Sequence, residues 1–270
     1  TMTKNANSSV AVYLTQEATA DGTGAVINLN DKSQNQVAYY IKGKGTISNS
    51  IGNINGYGVG VYLDGTDNTG APLLTTTKLN APTLDFVSGS TTQGKGIIGL
   101  VLKGNTDISS YTGGIKVGNT DGNFYAVGLY TDSQGTSTTP KSISTAITTG
   151  ANGVGLIAEN GSNLAYTNGT ITIGDGKDAG TGIYVGNNGT SGTPNPSKVT
   201  VTGTTINLNG SNGVGAIVTT DSTVNIDGTT TINFEGDGVG VYGQKGAHVT
   251  NSAVLNTKGH SVERTRVTEG

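Results

Sequence analysis

A short pattern of apolar and small residues recurs nine times along the chain: VAVYL (10–14), VAYYI (37–41), VGVYL (59–63), IGLVL (98–102), VGLYT (127–131), VGLIA (154–158), TGIYV (181–185), VGAIV (214–218) and VGVYG (239–243). The first position is β-branched in every copy, the second is Gly or Ala, and the fourth is Tyr in six copies and Val or Ile in three. Successive copies start 22 to 39 residues apart. Self-similarity at such a period marks one supersecondary unit stacked on itself, because a single unit is too small to bury its own apolar face.

The later units show what lies between these anchors. SNLAYTNGTITIGDG (162–176), SKVTVTGTTINLNG (197–210) and STVNIDGTTTINFEG (222–236) each contain two stretches that alternate apolar and polar residues, divided by Gly, Asn or Asp. Period-two alternation predicts strands, and the dividing residues predict turns. Apolar residues at helical spacing are missing. The chain therefore reads as all-β: a single-stranded parallel β-helix, or solenoid, of about three strands per coil and about nine coils. A β-propeller is the runner-up, but its blades need about 40 residues and four strands each. One strand spacing per coil would give a rod about 40 Å long.

Strict alternation sends positions one, three and five of each pentapeptide inward, and positions two and four outward. Val10, Val37, Val59, Ile98, Val127, Val154, Thr181, Val214 and Val239 are then one core column, and Val12, Tyr39, Val61, Leu100, Leu129, Leu156, Ile183, Ala216 and Val241 the next. Two further faces contribute Leu164, Val199, Val201, Val224 and Ile226, and Ile171, Ile173, Ile206, Leu208, Ile232 and Phe234. The same reading puts Tyr13, Tyr40, Tyr62, Tyr130, Tyr184 and Tyr242 in register on one surface, each preceded two residues earlier by a small residue that leaves a shallow depression. Rigid rings with an edge hydroxyl suit a sugar or a protein partner. They also reinforce stacking between coils, and that plainer reading is favoured for the stripe.

Composition narrows the class. The chain has 270 residues, 45 of them Gly, with 12% charged and a net charge of −3, so no long-range field attracts nucleic acid. Cysteine is absent, which removes disulfides, thiolate zinc sites and thiol nucleophiles. No stretch approaches the roughly 20 apolar residues needed to span a bilayer, and the start TMTKNANSSV lacks signal-peptide character. An exported protein would therefore be represented here by a fragment. The only arginines, Arg264 and Arg266, fall in SVERTRVTEG with Glu263 and Glu269. Residues 1–258 read as the β-helix, and 259–270 as a charged tail that is frayed or vector-derived.

The inventory for catalysis is short: His248 and His260, thirteen Asp, five Glu and thirteen Lys, with no GxSxG or HExxH. The enzymatic alternative is a polysaccharide lyase or glycoside hydrolase, which needs several carboxylates on one face. Candidate pairs are Asp64 with Asp67, Asp175 with Asp178, and Glu235 with Asp237, all in glycine-rich turns where Asp serves local backbone hydrogen bonds. The turn reading is favoured for each pair. GDGKDAG (174–180) and TDGNF (120–124) alternate Asp and Gly without a calcium-loop spacing, and GVGLIAENG (153–161) lacks the end of a phosphate loop. No catalytic residue, metal or cofactor is assigned. Three longer connections, 64–73, 131–140 and 186–197, follow anchor strands and should emerge from one side, where solenoids often bind. Their plainer reading, tolerated surface loops, is favoured.

The VGLY, VGVY and TGIYV pentapeptides followed by Gly-Thr-rich β pairs, over about residues 8–258, resemble the passenger repeats of large type V autotransporters, in the RadD-like style of fusobacterial adhesins. The resemblance implies a right-handed β-helix shaft on a bacterial cell surface, carried out through a C-terminal membrane barrel that this chain lacks. It offers no catalytic residue. The resulting expectation is a non-enzymatic adhesin or virulence-factor passenger segment, monomeric, binding a host-cell or bacterial surface protein or glycan. The candidate ligand-binding residues are Tyr13, Tyr40, Tyr62, Tyr130, Tyr184, Tyr242, Asp64 and Asp67. A carbohydrate-active enzyme and a ligand-free stalk are the alternatives.

Overall fold

The computed structural model describes residues 2–4, 9–29, 36–56, 58–67, 69, 73, 76–86, 97–118, 126–136, 138–188 and 193–268. Twenty-nine strands, β1 to β29 in chain order, are found among them, and every pairing between these strands is parallel. One strand of each coil belongs to a ten-stranded sheet: β2 (Val10–Gln16), β5 (Val37–Gly43), β8 (Gly58–Gly65), β11 (Ile97–Gly104), β14 (Val127–Asp132), β17 (Val154–Glu159), β20 (Thr181–Val185), β23 (Gly213–Val218), β26 (Gly238–Gly243) and β29 (Val262–Val267). Two more strands complete each coil. The later coils place them in a five-stranded sheet from β15 (Lys141–Ile143) to β27 (His248–Asn251), and in a seven-stranded sheet from β10 (Leu84–Phe86) to β28 (Val254–Asn256). The chain is thus a parallel β-helix of three strands per coil, and nine steps of one strand spacing make the ten-stranded sheet about 43 Å long.

Register confirms that the pentapeptides are equivalent. Val59 pairs with Ile98, Ile98 with Val127 and Val127 with Val154, while the fourth positions pair Tyr62 with Val101, Val101 with Tyr130 and Tyr130 with Ile157. The two other faces bury Leu164, Val199, Val201, Val224 and Ile226, and Ile171, Ile173, Ile206, Leu208, Ile232 and Phe234, as their alternation predicts.

Strict alternation fails inside the pentapeptide. The first-position residues are half-buried rather than core, apart from Val59 and Val127, whereas the second and third positions are both buried from Tyr39 onward. The strand bends at the small residue, which has no partner in the register of any rung. From Gly99 onward glycine is required there by close approach. A Cβ on Gly155 would lie 2.5 Å from Ile171 Cγ2 on the facing sheet and 2.6 Å from the Gly182 carbonyl one coil on. Gly182 meets Ile206 and Gly215 in the same way. The predicted depressions on the outer surface are therefore corrected: the missing side chains open space inward, and the opposing isoleucines fill it.

The charged stretch near the C-terminal end takes part in the ladder. Residues Val262–Val267 form β29, the tenth rung, with Gly238 opposite Val262 and Tyr242 opposite Arg266. The Arg264 guanidinium donates to the Ala253 carbonyl at 2.8 Å.

Leu156→Ala should lower the unfolding free energy by about 2–5 kcal/mol, and Val154→Ala by only about 1 kcal/mol because Val154 keeps part of its surface in water. Denaturant melts followed by circular dichroism measure both.

Candidate functional site

The outer face of the ten-stranded sheet carries positions one, four and six. Position four is the tyrosine column. Tyr13, on the first rung, is 58% exposed, and Tyr40, Tyr62, Tyr130, Tyr184 and Tyr242 are half-buried. Tyr40 and Tyr62 stack almost parallel, with centroids 5.1 Å apart and planes at 4°, while Tyr13 tilts against Tyr40 at 5.2 Å. Val101 interrupts the aromatic run and is buried. The structure thus brings three of the six predicted tyrosines into ring contact and spaces the others along the same column.

Position six holds a charge column that the repeat reading did not single out: Lys42, Asp64, Lys103, Asp132 and Glu159 on successive rungs. Lys42 pairs with Asp64 at 3.4 Å and Lys103 with Asp132 at 3.9 Å. The phenols are tied into this column. Tyr40 donates to Asp64 Oδ2, and Tyr130 donates to Glu159 Oε2 at 2.7 Å. Burial first, and the neighbouring carboxylates second, push both phenols well above the usual tyrosine range, so they stay protonated donors.

Asp64 is a structural acid. It is buried, and it accepts from the Thr66 amide at 2.8 Å and the Thr66 hydroxyl at 2.5 Å as well as from Tyr40. Burial alone pushes its carboxyl up, but the hydrogen bonds from Thr66 and Tyr40, and the Lys42 charge, outweigh that and hold it below the usual aspartate value. Asp67 is separate and exposed, with its carboxylate on the Thr69 amide and hydroxyl at 2.8 and 2.7 Å. The other carboxylate pairs serve turns and coil contacts. Asp175 accepts from the Lys177 and Asp178 amides, Glu235 pairs with Lys258, and Asp237 accepts from the Ser261 amide at 2.8 Å with His260 at 3.9 Å. His248 opens β27 and is exposed. No group of three His, Asp or Glu able to hold a metal exists among the described residues, and TDGNF (120–124) lies outside them.

The three long connections leave the same corner of the helix, after β8, β14 and β20, although 68, 70–72, 74, 75, 137 and 189–192 lie outside the described residues. Asn188 and Asn195 of the third reach back to Glu159 and Asn160, at 2.8 and 3.2 Å. Between the first and second lies a half-open cleft of about 320 Å³ lined by Leu73, Asn105, Gln134, Thr136, Thr139 and Lys141 among others. Its floor is fixed by Gln134, a buried side chain whose amide donates to the Gly104 carbonyl at 2.5 Å and accepts from Thr106 at 2.8 Å. At one end Lys141 and Lys78 share Asp107, each at 4.0 Å. Burial pulls the Lys141 ammonium below the usual lysine range, against the opposing pull of Asp107.

Comparison of the chain with protein-family models, with curated proteins and with solved structures finds no match.

Because the folded pKa of Asp64 lies below its unfolded value near 3.8, its contribution is present at neutral pH and lost as pH falls through the folded value. Asp64→Asn should cost about 1–3 kcal/mol at pH 7. The gap to the wild-type melting temperature should close below about pH 4 in a pH series of thermal melts.

Proposed function

We propose that this chain is a non-enzymatic contact shaft: a rigid β-helical segment of a bacterial surface adhesin, carried as the passenger of an outer-membrane autotransporter. It presents its corner loops and outer sheet face to a protein or glycan on a host or bacterial cell. The observation that carries this reading is the shared corner from which three long connections, after β8, β14 and β20, emerge beside a cleft and a charged, tyrosine-bearing sheet face. Variation concentrated on one side of a repeat scaffold is the usual layout of a binding surface. The carboxylates that an enzyme would draw upon are engaged with threonines, tyrosines, lysines and turn amides. Location at the cell surface, export through a barrel and any role in virulence rest on the repeat style alone.

The ligand-free stalk is favoured by one feature, the stacking of Tyr40 on Tyr62, which strengthens coil-to-coil contact whether or not anything binds.

Immobilised chain should retain epithelial or bacterial cells saturably. Tyr62→Ala and Tyr130→Ala, compared at matched melting temperature, should reduce retention several-fold, about 1 kcal/mol per ring. Absence of retention favours the stalk, and release of new reducing ends or unsaturated uronates from polysaccharide contradicts the non-enzymatic reading.

A further inference from the structure

We infer that the cleft beside Lys141 binds an anionic saccharide, a sugar unit bearing a carboxylate or a sulfate ester; this deepens the contact-shaft reading and rests on it. The site is concave and its volume of about 320 Å³ falls in the range of small-ligand sites. It lies between the first and second corner connections, where Leu73 of one wall faces Thr136, Thr139 and Pro140 of the other. Leu73 and Pro140 offer apolar area to the C–H face of a ring, while Asn105, Thr136 and Thr139 supply amide and hydroxyl groups.

Charge selects the ligand further. Two lysines share one aspartate, so among the described residues the end of the cleft carries one uncompensated positive charge. The Lys141 side chain is only 23% exposed, and the Asp107 carboxylate at 4.0 Å stands beyond hydrogen-bond reach. An ammonium drawn partly out of water without a close acceptor is costly, and an anion placed against it removes that cost through a charge-assisted hydrogen bond. Gln134 does not compete for the ligand, since its amide is consumed in joining coils. Among the described residues the lining lacks the large aromatic and Arg anchors on which protein interfaces concentrate their energy, and its small hydroxyl and amide groups match a sugar instead.

The test is a binding titration of the intact chain against oligosaccharides ending in N-acetylneuraminate, in glucuronate, in a sulfated hexose and in the uncharged counterparts of each. The anionic forms should bind and the uncharged ones should not, the carboxylated and sulfated arms showing which anion is preferred. Lys141→Gln should weaken binding at least about tenfold with an unchanged melting temperature, and Lys141→Arg should stay within about threefold of wild type. Thr139→Trp should block the cleft. Equal binding of charged and uncharged sugars, undiminished binding by Lys141→Gln, or binding of polyglutamate with no saccharide bound would each overturn the inference. Cell retention by Lys141→Gln at the wild-type level, with no saccharide bound by either protein, overturns this inference and leaves the contact shaft standing. Failure of the wild-type chain to retain any cell overturns the contact shaft itself.

Discussion

The backbone ladder between successive coils is the constraint from which the rest follows. Each inner strand of the ten-stranded sheet bonds to its equivalent one coil earlier and one coil later, so paired residues lie beside their own counterparts at one strand spacing. Like is forced onto like. The second position must stay small because three things meet there: its own backbone bend, the carbonyl of the next glycine, and an isoleucine from the facing sheet, as at Gly155 with Gly182 and Ile171. The same rule makes a tyrosine stripe of one repeated residue, and a column of amides of another. Asn233 donates to Asn207 at 2.8 Å and Asn256 to Asn233 at 2.7 Å on the outer face of the seven-stranded sheet.

Where the columns stop being uniform, the surface acquires individuality. The aromatic run ends at Val101, the charge column changes sign between Lys42, Asp64 and Lys103, and the two smaller faces break into shorter sheets near the longest connection, between β8 and β11. A regular shaft with longer connections at its corners separates two tasks. The ladder supplies rigidity along the axis, and the corners are free to vary because their residues are not bound into the repeat.

Much of this was legible in the residues. The nine pentapeptides, the three strands per coil, the two aliphatic faces and the common side of the long connections all follow from short-range patterns. The facing of Val154 and Gly155 did not, because period-two alternation assumes an unbent strand, and the bend depends on Ile171 across the core. The charge column was readable as the residue after five consecutive pentapeptides, Lys42, Asp64, Lys103, Asp132 and Glu159, once the copies are set in line. The cleft was not: Leu73 and Thr136, or Lys141 and Asp107, are brought together only by the stacking of coils. The tenth rung was not legible for a related reason, since Glu263 and Arg266 occupy rung positions without repeating the rung's residues.

The most direct test of the coil-on-coil ladder is a set of spin-label distances along one column of the seven-stranded sheet, in which Asp85, Lys116, Thr148, Thr172, Asn207, Asn233 and Asn256 are successive partners. The chain contains no cysteine, so an introduced pair is the only pair labelled. Labels at Asp85 with Asn207, Asn233 or Asn256 stand four, five and six rungs apart, and the account predicts separations near 19, 24 and 29 Å, rising by about 4.8 Å per rung. Distances that fail to rise in equal steps, as antiparallel hairpins or radiating blades would produce, contradict it.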